Sequence, residues 1–400
     1  MSDLSLPYPG AAEASASRPP ARQLRLRTML RVGVRMMFYD KLKLAGTLFG
    51  VIFAVVLTNQ QLGVFLGLLS KNTMFIDNAG ADLWIVPGST QTLQAGKALP
   101  MAALYEARTT PGVAWAEPLL FGGATVSLPA GGSEPVTLVG TKAPAWRGGP
   151  WNVVAGSVET LRRPDTMIFE DSERDKLGGL NLGSVREVNR HRTVVGGFTW
   201  GLLPFGPSYA FADFDYARVL MGMPSDETSF VLVGVAPGAD RQAVARELQA
   251  RAPATQVLTS SDFRSRVLRY LLVSTGIGVT TGTSTAFGLI VGLVIVSLSM
   301  FSAVVDNIRE FGTLKAIGCR NRDLAALLLV QSTIYALLGS VIGLNQISLI
   351  SEAIRSPKLA LVLPWLAYAA TPMVMVCLCG LASLLALFRI RSLEPAMVFR

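Results

Sequence analysis

Four stretches without a single Asp, Glu, Lys or Arg decide what this chain can fold into. They lie between Lys43 and Lys71 (27 residues), Arg269 and Asp306 (36), Asp323 and Glu352 (28), and Lys358 and Arg389 (30). A helix needs about 20 apolar residues to cross a hydrocarbon layer ~30 Å thick. Each stretch is long enough, so four transmembrane helices are expected, within 44–70, 271–305, 324–350 and 366–388. Composition agrees. Charged residues make up 16% of the 400, against roughly 25% in soluble chains, and mean hydropathy is +0.44.

The placement of charge then sets the expected orientation. Net charge is +9, yet residues 71–270 hold 19 basic and 19 acidic side chains, so the whole excess lies elsewhere. Eight Lys or Arg fall within 1–43, four within 309–323, and Arg389, Arg391 and Arg400 follow the last span. Basic residues next to spans favour the cytoplasmic side. Both termini and the loop 306–323 are therefore expected in the cytoplasm, and 71–270 with the loop 351–365 outside. Basic side chains that flank spans argue against nucleic acid as a partner and for membrane lipid. The first span lacks a small-residue cleavage site and reads as an uncleaved anchor. Residues 1–20 read as a disordered tail, and 21–43 as a basic amphipathic helix on the inner membrane surface. The cysteines are Cys319 in the cytoplasmic loop and Cys377 and Cys379 in the last span, so the outer segment does not depend on disulfides.

Within 71–270 the pattern is that of an α+β domain. "ADLWIVPGST" reads as a strand closed by a Pro-Gly turn, and "KALPMAALYEARTTPG" as a helix that stops before Pro111. "ATVSLPAGGSEPVTLVG" and "SVREVNRHRTVVGGF" read as hairpins. "SFVLVGV", a helix with Asp240 as N-cap, and "TQVLTSS" complete a strand–helix–strand module. "DFRSRVLRYLL" is expected to run unbroken into the second span.

Catalytic chemistry is scarce. There is no G-x-x-x-x-G-K-[ST] phosphate loop and no G-x-S-x-G elbow. The single histidine, His191, stands between Arg190 and Arg192 in a polar hairpin and reads as solvated. "EDSERD" (170–175) reads as a solvated helix face, since it lacks calcium-loop spacing. No cofactor or metal is expected on this chain. No Asp, Glu, Lys, Arg or His lies inside a span, which removes the usual groups of a proton relay. Small-xxx-small pairs recur at Gly46/Gly50, Gly63/Gly67, Gly278/Gly282, Gly288/Gly292 and Gly339/Gly343, with Gly288 and Gly292 the strongest candidates for a helix–helix or subunit contact.

What remains is the loop "REFGTLKAIGCRNRD" (309–323), which holds six charged side chains. Gly312 and Gly318 bracket "TLKAI". One reading is a short helix that offers Phe311, Leu314 and Ile317 to a partner while charges fix its orientation. The other is a basic loop tethered to lipid headgroups. The segment Arg309–Cys319 resembles the R-x-E-I-G-x-x-x-A-x-G-A type motif of MacB/FtsX-like ABC transporter permeases. Here the acid directly follows Arg309, Phe311 replaces an aliphatic residue and Cys319 a small one. "LAALLLVQSTIYALLGSVIG", with Gln331 where Glu is common, and the ending "RSLEPAMVFR" are similar to the same family.

The resemblance implies a homodimer of permeases that binds two copies of a cytoplasmic ABC ATPase, with ATP and Mg held by those subunits. It implies ATPase-coupling contacts at Arg309, Glu310, Phe311, Gly312, Leu314, Lys315 and Gly318. The implied activity is export, or mechanotransmission of ATP-driven motion to the outer domain. The alternative is a non-transporting regulator that activates an enzyme outside. Heterocyst-type relatives work with a periplasmic adaptor and an outer-membrane channel, and the outer segment is large enough for such partners. The expected location is a bacterial inner membrane.

Overall fold

The computed structural model describes residues 31, 34–94, 98–204, 206–316, 319–353 and 361–391. The expected tail 1–20, most of the helix expected at 21–43, the centre of the 351–365 loop, Ile317 and Gly318, and the ending 392–400 lie outside them. Residues 34–39 are helical. The chain forms two compact units, one of Leu57–Leu289 with Gln346–Ala367, the other of the remaining segments.

Among the described residues, four helices are long and apolar enough to cross a membrane. They are α1 (Lys41–Asn78), α6 (Gly276–Asp306), α8 (Asn321–Ala353) and α9 (Trp365–Arg391). The 38 residues of α1 would extend ~57 Å at 1.5 Å per residue, well beyond the expected 44–70. Its last turns are not lipid-facing in composition, and they deliver Phe75 and Ile76 to the core of the large domain.

That domain follows α1. Its elements are β1 (Leu83–Pro87), β2 (Leu99–Pro100), α2 (Ala102–Thr109), β3 (Val113–Ser127), β4 (Ser133–Thr141), β5 (Val153–Gly156), β6 (Thr166–Glu170), β7 (Val185–Val188), β8 (His191–Thr199), β9 (Tyr209–Asp213), α3 (Phe214–Met221), β10 (Glu227–Thr228), β11 (Phe230–Val235), α4 (Arg241–Arg251), β12 (Thr255–Thr259) and α5 (Ser260–Arg269). The main sheet runs β12-β1-β11-β3-β4-β9-β6-β8-β5, with β7 set between β3 and β8. β3 joins its two halves, because its first half pairs with β11 and its second with β4.

The strand periodicity of two divides the buried side chains between layers. Leu83 and Ile85 of β1 pack with α2 and α4. Trp84 and Val86 face the opposite layer, where Phe75, Phe121, Tyr209, Phe230 and Phe263 meet. Phe75 lies 5.1 Å from Phe121 and 5.5 Å from Tyr209 between ring centroids. A third layer packs β3, β4, β6 and β9 against Phe214, Ala217 and Leu220 of α3.

The expected strand, both hairpins and the strand–helix–strand module are all present. The β3–β4 turn takes Gly131 and Gly132 at φ +90 and +86, a conformation costly for any side chain. Asp240 caps α4 by accepting the Gln242 N–H at 3.0 Å.

Two expectations fail. Residues 170–175 are not a solvated helix face. Glu170 ends β6 fully buried, and Asp171–Glu173 form one 3-10 turn. The Glu170 carboxylate accepts from Ser172 Oγ (3.0 Å), Thr199 Oγ1 (3.0 Å), Gly201 N (2.7 Å) and Leu202 N (3.1 Å). Lys71 of α1 interacts with it electrostatically. A buried carboxylate needs such partners, since desolvation alone would expel it. Second, α5 does not run unbroken into α6. A wide π-type turn spans Tyr270–Ser274, and Thr275 is extended (φ −100, ψ 144). The chain doubles back so closely that a Cβ on Gly278 would stand 2.3 Å from Leu272 Cα.

Candidate coupling site

After α6 ends at Asp306, one residue, Asn307, separates it from a short helix, α7 (Ile308–Ala316). Asn307 serves both helices. Its amide donates to Ala303 O (2.9 Å) at the end of α6, and its carbonyl accepts the Phe311 N–H (3.0 Å) that opens α7. Cys319 N donates to Leu314 O (3.0 Å) and closes the turn after α7. Asp323 then reaches back to the Arg320 N–H at 3.2 Å, half of a capping box for α8.

Phe311 is 2% exposed. It packs with Val304 of α6 and Leu324, Leu327 and Leu328 of α8, and Leu314, Cys319, Met36 and Phe301 border the same cluster. Phe311 is thus packed inside the chain, and Leu314 is half-buried at the edge of the same cluster. This corrects the expectation that Phe311 faces a partner. A nine-residue helix has one apolar stripe, and the ends of α6 and α8 offer apolar side chains for it to cover. Gly312 is a second correction, because it lies within α7 and does not bracket it.

The outward groups are polar. Thr313 is exposed, and Glu310, Gly312 and Lys315 are half-buried. Neither Glu310 nor Lys315 forms an ion pair among the described residues. Arg309 contributes backbone to α7, and Gly318 lies outside the described residues. Thr313 was not singled out by sequence. Its i, i+3 spacing from Glu310 was the available signal, since such residues share a helix face.

Gly288, Gly339 and Gly343 each lie close to a helix of the same chain. Gly288 and Gly292 are both buried, and a Cβ on Gly288 would stand 2.8 Å from Gln61 Cγ of α1. At Gly339 and Gly343 of α8 both members of the pair are matched. A Cβ there would meet Val51 Cγ1 at 2.5 Å and Val55 Cγ1 at 2.7 Å, so two valines of α1 seat against two glycines. His191 is exposed. Cys377 is exposed and Cys379 buried, on different faces of α9.

Residues 44–251 match the family model for the MacB-like periplasmic core domain, and residues 282–395 that for the FtsX-like permease C-terminal region. An uncharacterized ABC transporter permease of Mycobacterium bovis is 31% identical over 110 residues, 28% of this chain and 31% of that protein. Another, from Mycobacterium tuberculosis, is 29% identical over 112 residues, again 28% and 31%. The match thus spans about a third of these relatives' length. Among solved structures, the periplasmic region of MacB from Actinobacillus actinomycetemcomitans aligns at TM-score 0.38 and 9% identity, covering 48% of this chain and 95% of that one. The extracellular domain of the transporter YknZ from Gram-positive bacteria aligns at 0.33 and 17%, covering 45% and 99%.

Proposed function

Because the chain belongs to the MacB/FtsX-type permeases of ABC transporters, we propose that it is the membrane subunit through which a separate cytoplasmic ATPase moves the outer domain. The observation that carries this reading is the seating of α7. Its polar side is free for a partner, while Phe311 is wedged between the ends of α6 and α8. A force on α7 cannot be absorbed by a slack loop. It must displace the spans, because a close-packed cluster deforms little.

In this reading, two ATPase subunits close on ATP and Mg, and grip α7 of each permease in a homodimer at Glu310, Thr313 and Lys315. Arg309 and Gly318 complete the contact. Phe311 and Leu314 transmit the force and do not touch the ATPase. The chain itself supplies no nucleotide site. It resides in a bacterial inner membrane with α7 and both termini inside, and the domain between α1 and α6 outside, where an adaptor and an outer-membrane channel would engage it.

The test is co-purification with the ATPase and coupled ATP hydrolysis. The double substitution Glu310→Ala, Lys315→Ala should lower both at least about tenfold, the loss of two contacts worth ~1 kcal/mol each, while the protein still reaches the membrane. Unchanged hydrolysis and unchanged recovery of the ATPase would refute the assignment. Recovery of an ATPase whose activity responds only to an outer protein partner would favour the regulator over the exporter.

A further inference from the structure

A cleft of about 740 Å³ opens beside the break that precedes α6. β12 contributes Gln256, α5 contributes Asp262, Arg266 and Arg269, and the wide turn contributes Tyr270 and Val273. Its place in the chain matters, because Arg269 is the last charged residue before 36 without charge. The cleft therefore lies where polar protein gives way to the membrane-crossing helix.

The polar groups of the cleft are not neutralised. Arg266 donates to the neutral Gln256 Oε1 at 2.5 Å. Arg269 has no carboxylate partner among the described residues. Asp262 is occupied with its own helix, where its carboxylate accepts from Thr259 Oγ1 at 2.7 Å. Neighbouring Arg264, by contrast, is paired with Asp77 at 3.6 Å. Two guanidiniums against one carboxylate leave the cleft net positive. Val273 of the wide turn also lines the cleft and is 75% exposed. Tyr270 lines it too, and a ring with a polar tip suits a membrane–water boundary.

From this arrangement we infer that the cleft binds the phosphate headgroup of an anionic phospholipid of the surrounding bilayer. The guanidiniums of Arg266 and Arg269 hold the phosphate, and the acyl chains lie along Val273 towards lipid. Guanidinium groups match phosphate oxygens in geometry and charge. The site is independent of the ATPase contact at α7.

Native mass spectrometry of the full-length chain, released from mild detergent, tests this. Phosphatidylglycerol should remain bound in preference to phosphatidylcholine, and glycerol 1-phosphate without acyl chains should not displace it. Arg266→Gln or Arg269→Gln should each weaken retention about fivefold and the pair about 30-fold, from the typical contribution of one basic residue near an anionic surface. Arg264→Gln, outside the cleft, should leave retention unchanged and serves as the control for general surface charge. Equal retention by the double variant, an equal loss from Arg264→Gln, or full displacement by glycerol 1-phosphate would each overturn the assignment. Arg269 is exposed, so its single variant keeps the test valid should the double variant melt early.

Discussion

At the scale of single residues, the most constrained group is Glu170. Four donors converge on one buried carboxylate, and two of them are backbone N–H groups that have no substitute. Glu170→Ala should therefore destabilise the large domain by about 3–5 kcal/mol, the range for breaking a buried charged network. Thermal melting of the full chain should show a fall of roughly 10 °C. Glu170→Gln, which keeps the shape, should fall less.

Tyr209 gives a pH dependence. Burial pushes its phenol above the ordinary value of 10.0. Up to about pH 10 both folded and unfolded states hold the proton, and stability is unaffected. Above it the unfolded chain ionises while the folded one resists, so stability declines as pH rises. Tyr209→Phe should flatten that decline between pH 10 and 11.5, as read from urea midpoints. An unchanged slope would contradict the burial. No local pattern points to Glu170 as a buried residue. "EDSERD" is four acids among six residues, and burial depends on loop 199–202, which returns from 29 to 32 positions away.

At the scale of elements, the long or strongly punctuated pieces were legible. Charge-free runs mark the spans, and the AGG turn and the Asp240 cap fix a hairpin and a helix by local chemistry. β6, β9 and α3 went unread. "TMIFE" is buried at every position and shows no alternation, which also describes a short helix segment. The Tyr270–Thr275 break was invisible for a related reason. "YLLVSTGIG" is uncharged and free of proline, and the break shows only in the backbone, where Thr275 is extended and Gly278 approaches Leu272. Packing between α1 and α8 is the element-scale prediction. Gly343→Val places new atoms against Val55 and should cost about 1–3 kcal/mol by overpacking, seen as a lower melting temperature in detergent. Gly282→Ala meets nothing within 4 Å and should melt no lower than the parent.

At the scale of the whole molecule, orientation in the membrane is the property to check. With Cys319, Cys377 and Cys379 replaced by Ser, His191→Cys should react with a membrane-impermeant maleimide in spheroplasts. Thr313→Cys should react only after permeabilisation. The reverse pattern would invert the arrangement and remove the basis for an ATPase at α7.

The sequence by itself marked four helices long and apolar enough to cross a membrane, where the large domain is inserted and, through basic residues, the side on which each loop is expected. Those properties follow from transfer free energies that add along the chain and need no knowledge of neighbours. Tertiary structure alone decided that Phe311 faces inward, that Glu170 is buried, that α5 and α6 are separated, and that Arg266 and Arg269 share a cleft. The burial of Glu170 rests on residues 29 to 32 positions away, while the other three rest on nearer neighbours whose packing, and not their order, sets the geometry.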